Sequence, residues 1–164
     1  MKSNIPLVLF LLVLSAGCRQ DAGRATAEEA PKTVEEYTQA IIREVQKVIL
    51  STNQQLQDGA PEQLSLPAET GQPARTLQLW AEAGNPVKLT STVGNGRENS
   101  SFYFANGELF FASHADANFI FIGPELKYWL DGEWKPVQRT EAERRQMQKE
   151  LLEQAESYLG RFSK

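Results

Sequence analysis

Ser101–Ser113, SFYFANGELFFAS, decides the fold. Two aromatic-rich runs flank Asn106-Gly107, the dipeptide that most easily adopts the paired positive φ angles of a type I′ turn. The stretch reads as a β-hairpin. Working outward, the same grammar recurs. Gly84-Asn85-Pro86 separates LQLWAEA from VKLTSTV, and Gly94-Asn95-Gly96 separates that run from the Phe102 strand. Ala115 to Asn118 joins the Phe111 strand to NFIFI, which ends at Gly123-Pro124, and Asp131-Gly132 divides KYWLDGEWKPV into a further hairpin. No segment between Thr76 and Val137 is long enough for the crossover a parallel pair needs. The expectation is an antiparallel meander of about six or seven strands.

The outer strands alternate. Leu77, Leu79 and Ala81, then Val87, Leu89 and Val93, are interleaved with polar residues, as in strands buried on one side. The middle strands are apolar on both sides. Phe102 and Phe104 oppose Tyr103, Leu109 and Phe111 oppose Phe110, and Phe119 and Phe121 oppose Ile120 and Ile122. The sheet centre is therefore covered twice, or one of its faces is an apolar groove.

A helix is expected on each side of the meander. Thr33 and Glu36 have capping-box spacing, and Val34, Tyr37, Ile41, Val45, Val48, Thr52 and Leu56 recur at steps of three and four, toward an end at Asp58-Gly59. Thr140 and Glu143 repeat the box before Met147, Leu151, Ala155, Tyr158 and Phe162. Both helices are expected to pack on the sheet and on each other. Ala60–Arg75 holds three prolines and reads as a plain connection, although alternating Leu64 and Leu66 fit a short edge strand. The fold class is α+β, with a single domain over residues 33–164: N-terminal helix, antiparallel meander, C-terminal helix.

The first residues, MKSNIPLVLFLLVLSAGC, read as an export signal. Lys2 gives a positive start, Ile5 to Leu14 an apolar run, and Ser15, Ala16 and Gly17 the small residues that a signal peptidase accommodates. The run is shorter than the roughly 20 residues a membrane span needs. Cys18 is the only cysteine, and Leu14-Ser15-Ala16-Gly17-Cys18 resembles the lipobox of bacterial lipoproteins, with Ser15 where Leu is usual. The resemblance implies removal of residues 1–17, a diacylglyceryl group on the Cys18 thiol, and acylation of the new amino group. Arg19 stands where Asp would imply retention at the inner membrane, so outer-membrane sorting is implied. Residues 18–32, small and polar, then form a tether.

The formal charge of −4 becomes −5 once Lys2 is removed. With no basic block, no nucleic-acid partner is expected. Hydrophobic residues at 41% suffice for a real core.

Candidate chemistry is thin. His114 is the only histidine. With Asp116 and Asn118 it could make a weak metal site, but a polar turn is the simpler reading, because a zinc centre needs more and softer ligands. Glu82, Glu98, Glu108, Glu125, Asp131 and Glu133 could pair in space for glycoside chemistry, yet each lies at a turn or strand end where solvated charge is expected. No phosphate-binding glycine loop precedes a helix. No metal or other cofactor is expected, and the chain does not read as an enzyme. Trp80, Trp129, Trp134, Tyr103 and Tyr128 are either core filling or a binding surface. Trp129, Trp134 and Tyr103 are the ligand-binding candidates, the two tryptophans because they flank a hairpin turn. The expected function is that of a lipid-anchored periplasmic binding or scaffolding module, whose partner is an envelope protein, a glycan or an apolar molecule. Two alternatives follow from the same residues. One is a carrier of an apolar ligand walled by Phe102, Phe111 and Phe121. The other is an envelope hydrolase using His114 or a carboxylate pair.

Overall fold

A computed structural model describes residues 33–163 apart from 72, 95 and 96, and leaves out the side chains of 97–99. The export signal, Cys18 and the tether lie outside the described residues. The chain runs α1 (Val34–Gln55), β1 (Glu62–Leu66), β2 (Arg75–Glu82), β3 (Asn85–Val93), β4 (Arg97–Ala105), β5 (Glu108–His114), β6 (Ala117–Ile122), β7 (Glu125–Asp131) and α2 (Glu141–Leu159). This is the expected α+β order. The seven strands form one antiparallel sheet in which each lies beside its sequence neighbour.

Turn chemistry sets that order. Asn106 and Gly107 take φ of +53° and +81°, the positive pair that the central hairpin requires. Ala83-Gly84 and Ala115-Asp116 do the same, so Asn85 and Pro86 belong to β3 rather than to the turn. Ala115 bears a Cβ at φ +49°, an unfavourable conformation for an alanine.

Both capping boxes form. Thr33 Oγ1 accepts from the Glu36 amide at 3.1 Å, while the Glu36 carboxylate accepts from the Thr33 amide at 2.9 Å. Thr140 and Glu143 repeat this at 3.2 and 2.8 Å. α1 stops at Gln55 with Leu56 as its cap, short of the expected Asp58-Gly59.

The strand membership differs from expectation at both edges. Leu64 and Leu66 belong to β1, a true edge strand, not to a plain connection. At the other edge Glu133–Val137 turns back along β7 but makes only a single bridge, Leu130 to Pro136. Pro136 has no N–H for a ladder, and Trp134 sits at φ +65°, so the return leg does not become a strand.

The helices pack on opposite faces of the sheet and do not share a core. α2 brings Leu151 and Ala155 onto Leu89, Phe102, Phe104, Ala112, Phe119 and Phe121. α1 brings Ile42, with Ile41, Val45 and Ile49 around it, onto Tyr103, Phe111, Ile120 and Leu130. A bulge corrects the expected alternation in β5. Tyr103 pairs with Phe111 and Phe104 with Leu109, leaving Phe110 as the extra residue. Leu109 consequently faces α2, whereas Phe110 and Phe111 face α1.

Candidate functional site

Three regions carry chemistry, and the sheet register creates each of them. The first runs along the outer edge of β7. An edge strand exposes unpaired backbone groups, and here the chain covers them itself. The Leu126 amide donates to Gln148 Oε1 at 2.9 Å, and Arg144 Nη2 donates to the Leu126 and Lys127 carbonyls at 2.6 and 2.8 Å. Farther along, the Val137 amide donates to the Trp129 carbonyl at 2.8 Å and the Asp131 amide to the Lys135 carbonyl at 2.9 Å. The Asp131 side chain accepts from the Glu133 and Lys135 amides, both at 2.9 Å, and so holds the return leg.

That cover leaves two adjoining depressions, of about 540 and 300 Å³, which share Lys127, Tyr128 and Arg144. Together they form an open groove. Trp129 lines one end, backed by Phe119 at 5.1 Å between ring centroids and overlaid by the Arg139 guanidinium at 4.9 Å. Four cationic side chains line the groove, Lys127, Arg139, Arg144 and Arg145, against two carboxylates, Glu125 and Glu141. Lys127 pairs with Glu125, and Arg145 with Glu141 at 3.2 Å. The hydrogen bond from Lys127, and then its charge, lower the Glu125 pKa from its ordinary value. Among the lining residues the surplus positive charge comes from Arg139 and Arg144, and the Glu143 carboxylate, outside the lining, is near enough to Arg139 to interact with it. Arg144 is braced by two carbonyls and Arg139 lies on an indole. Such a surface suits a ligand bearing carboxylates or other anionic groups, with an aromatic plane for stacking.

Trp129, Trp134 and Tyr103 do not meet as one site. Trp129 packs with the α2 face. Trp134 stacks on Phe111 on the α1 face, 5.2 Å away and only 7° from parallel, and Tyr103 meets the same ring edge-on at 5.7 Å. Tyr103 is 4% exposed and fills the core. Its hydroxyl donates to Asn53 Oδ1 at 2.9 Å, and Lys88 Nζ donates to the same oxygen at 2.9 Å while resting between the Trp80 and Tyr103 rings. That arrangement pins the end of α1 to the sheet.

The second region is a polar row under α2. Ser91, Ser100 and His114 are direct cross-strand partners on β3, β4 and β5. Arg75 reaches Ser91 Oγ at 3.5 Å and the Tyr158 hydroxyl of α2 at 3.1 Å, and Gln154 donates to that hydroxyl at 3.0 Å. Among the described residues, Arg75 Nε, Ser100 Oγ and His114 Nδ1 are buried without a hydrogen-bond partner. Burial first, and the Arg75 charge second, push the His114 pKa below its ordinary value, against an opposing pull from Glu150. Ser100, His114 and Glu150 are the residue types of a hydrolytic triad. Ser100, however, is 2% exposed, so its hydroxyl is shielded from any substrate arriving from solvent. Through Arg75, Ser91, Tyr158 and Gln154 the row makes a polar network that ties β2 and β3 to α2.

The third region, the turn after His114, is a cap. Asn118 Nδ2 donates to the Asp131 carbonyl at 2.9 Å, which commits that side chain to the backbone. Among the described residues no group of three or more His, Cys, Asp and Glu is arranged to hold a metal. Glu82, Glu108, Glu125 and Glu133 are exposed, Asp131 is occupied in its turn, and the Glu98 side chain lies outside the described ones. Phe102 and Phe121 face α2 whereas Phe111 faces α1, so the three cannot wall a single cavity.

Sequence reasoning missed the groove. Arg139, Arg144 and Arg145 read as ordinary charges at the start of a helix, and only their placement beside β7 gives them a common surface. The signal that could have raised it was the basic spacing of Lys135, Arg139, Arg144 and Arg145 directly after an aromatic strand. Among the described residues no helix is long and apolar enough to cross a membrane. Comparison of the chain with protein-family models, with curated proteins and with solved structures found no match to any of them.

Proposed function

We propose that the chain is a lipoprotein of the bacterial envelope, held through lipid on Cys18, facing the periplasm and sorted to the outer membrane. Its folded part serves as a non-catalytic binding module, and the groove along β7 is the binding surface. The observation that carries this reading is the groove itself, with Arg144 braced on two carbonyls of a self-covered sheet edge, Trp129 packed on Phe119, Arg139 over the indole, and surplus positive charge among the lining residues. Rigid support keeps the ordering cost of binding low. The partner class it fits is an envelope component that presents carboxylates.

Two measurements test the proposal. Cells expressing the full chain should incorporate labelled palmitate, and Cys18→Ala should abolish the label. Labelling that persists in this variant would remove the anchor from the reading. Immobilised full-length protein should capture an envelope component that Arg139→Glu and Trp129→Phe release, with near-ultraviolet circular dichroism showing that both variants remain folded. Capture unchanged by both substitutions would remove the groove.

A further inference from the structure

Of the five large apolar side chains exposed among the described residues, four lie on α1: Val34 at 85%, Tyr37 at 56%, Val48 at 41% and Leu50 at 60%. Only Ile42 of this 22-residue helix is fully buried. Spacing arranges the exposed groups. Val34, Tyr37 and Val48 lie along one side of the helix over about 20 Å, with Ile41, half-buried and packed toward the sheet, at the border between that side and the core. Leu50 points elsewhere. The charged residue closest to this strip, Glu44, is paired with Lys47 at 3.5 Å. The strip is therefore apolar along Val34, Tyr37 and Val48, with a tyrosine in its first helical turns and with Glu44, seven residues after Tyr37, as the charged group on its border.

Its position along the chain says what covers it. The strip begins one residue after the Thr33 cap, and positions 19 to 32 put 14 residues between that cap and Cys18. An acyl group on Cys18 would hold α1 near a bilayer at high effective concentration, where a weak apolar contact suffices. Tyrosine suits the headgroup level, half apolar and half polar. The absence of Lys and Arg from the strip, and the net negative charge of the chain, favour a zwitterionic lipid surface over an anionic one.

We propose that the Val34–Tyr37–Val48 side of α1 lies on the lipid surface and orients the domain on it. This rests on the lipid-anchored reading and adds a second, non-covalent contact. With α1 against the bilayer, α2 on the opposite sheet face is turned toward the aqueous side.

Because Cys18 is the only cysteine, acylation leaves an introduced thiol unique. The full-length acylated protein, carrying Tyr37→Cys, Val48→Cys or Glu153→Cys, is spin-labelled and incorporated into phosphatidylcholine vesicles. Collisional access to oxygen and to a water-soluble nickel chelate is then read at each label. The expected result is loss of nickel access and gain of oxygen access at 37 and 48, with the reverse at 153. Equal nickel access at all three positions would overturn the proposal. Exclusion of both reagents at 37 and 48, with dipolar broadening between labels, would overturn it in favour of a second copy of the chain. Mass spectrometry of the same sample separates the two readings. Acylated Cys18 with a freely hydrated strip removes only the orientation, whereas an unacylated Cys18 removes both.

Discussion

The two faces of the sheet are covered by helices of similar length but unequal commitment. On one face, α2 seats Leu151 and Ala155 among eight further buried residues, including four phenylalanines. On the other, α1 seats only Ile42 deeply, over Tyr103, Phe111, Ile120 and Leu130, and leaves apolar groups in solvent. The sheet is apolar on both sides, so the difference lies in the helices. α2 is a core element. α1 is a cover with a second apolar side to spare, tied down by a polar clasp of Asn53 with Lys88 and Tyr103.

Large-to-small substitutions should break the symmetry most visibly. Leu151→Ala should cost about 4 kcal/mol and Ile42→Ala about 2 kcal/mol, because the half-exposed neighbours of Ile42 can close over the space. Urea unfolding of the two variants measures the gap, and a larger loss for Ile42→Ala would invert the comparison. Asn53→Ala comes next. It leaves a half-buried ammonium and a buried phenol without their shared acceptor, at a cost of about 1–3 kcal/mol. Amide exchange in that variant should quicken across α1 before it changes in α2.

The caps should follow the same order with smaller effects. Thr140→Ala is expected to cost about 1 kcal/mol and Thr33→Ala about half of that, since α2 is coupled to more of the core. Thermal midpoints read this difference. The smallest effect sharpens the α2 side. His114 titrates below 6.5 in the fold because of its burial and the Arg75 charge, with Glu150 pulling the other way. The unfolded chain therefore takes the proton more readily. Stability should be unaffected above that value and should decline as pH falls through it toward the folded pKa. His114→Gln should flatten this segment of the pH profile, and an unchanged slope would show that the imidazole is not the responsible group.

The legible and illegible parts of the sequence divide on physical grounds. Asn106-Gly107 needs only its own two residues to turn, and each capping box needs only four, so these local devices appear in the structure as read. The choice of faces was not legible, because β4, β5 and β6 are apolar on both sides and offer each helix equal claims. Phe110 shifts the alternation of β5 by one, and nothing in a run of Leu-Phe-Phe marks which residue bulges. At the edges, Leu64 and Leu66 form a strand despite Pro61 and Pro67 around them, while Pro136 and the left-handed Trp134 keep an equally suggestive run from forming one. The groove was hidden for a different reason. It depends on Arg139 and Arg144 meeting Trp129 and Lys127 across a turn, and such a juxtaposition has no period to read.

The plain strand order also governs how the molecule is made. Each strand finds its partner in the segment synthesised just before it, so a chain appearing end first can zip one ladder at a time without waiting for a distant mate. The exception is the final helix, whose arrival alone closes the larger core. Until residue 159 has emerged, four phenylalanine rings stand open on a nearly finished sheet, and chains cut short near the carboxyl end should be the ones that proteases and chaperones meet.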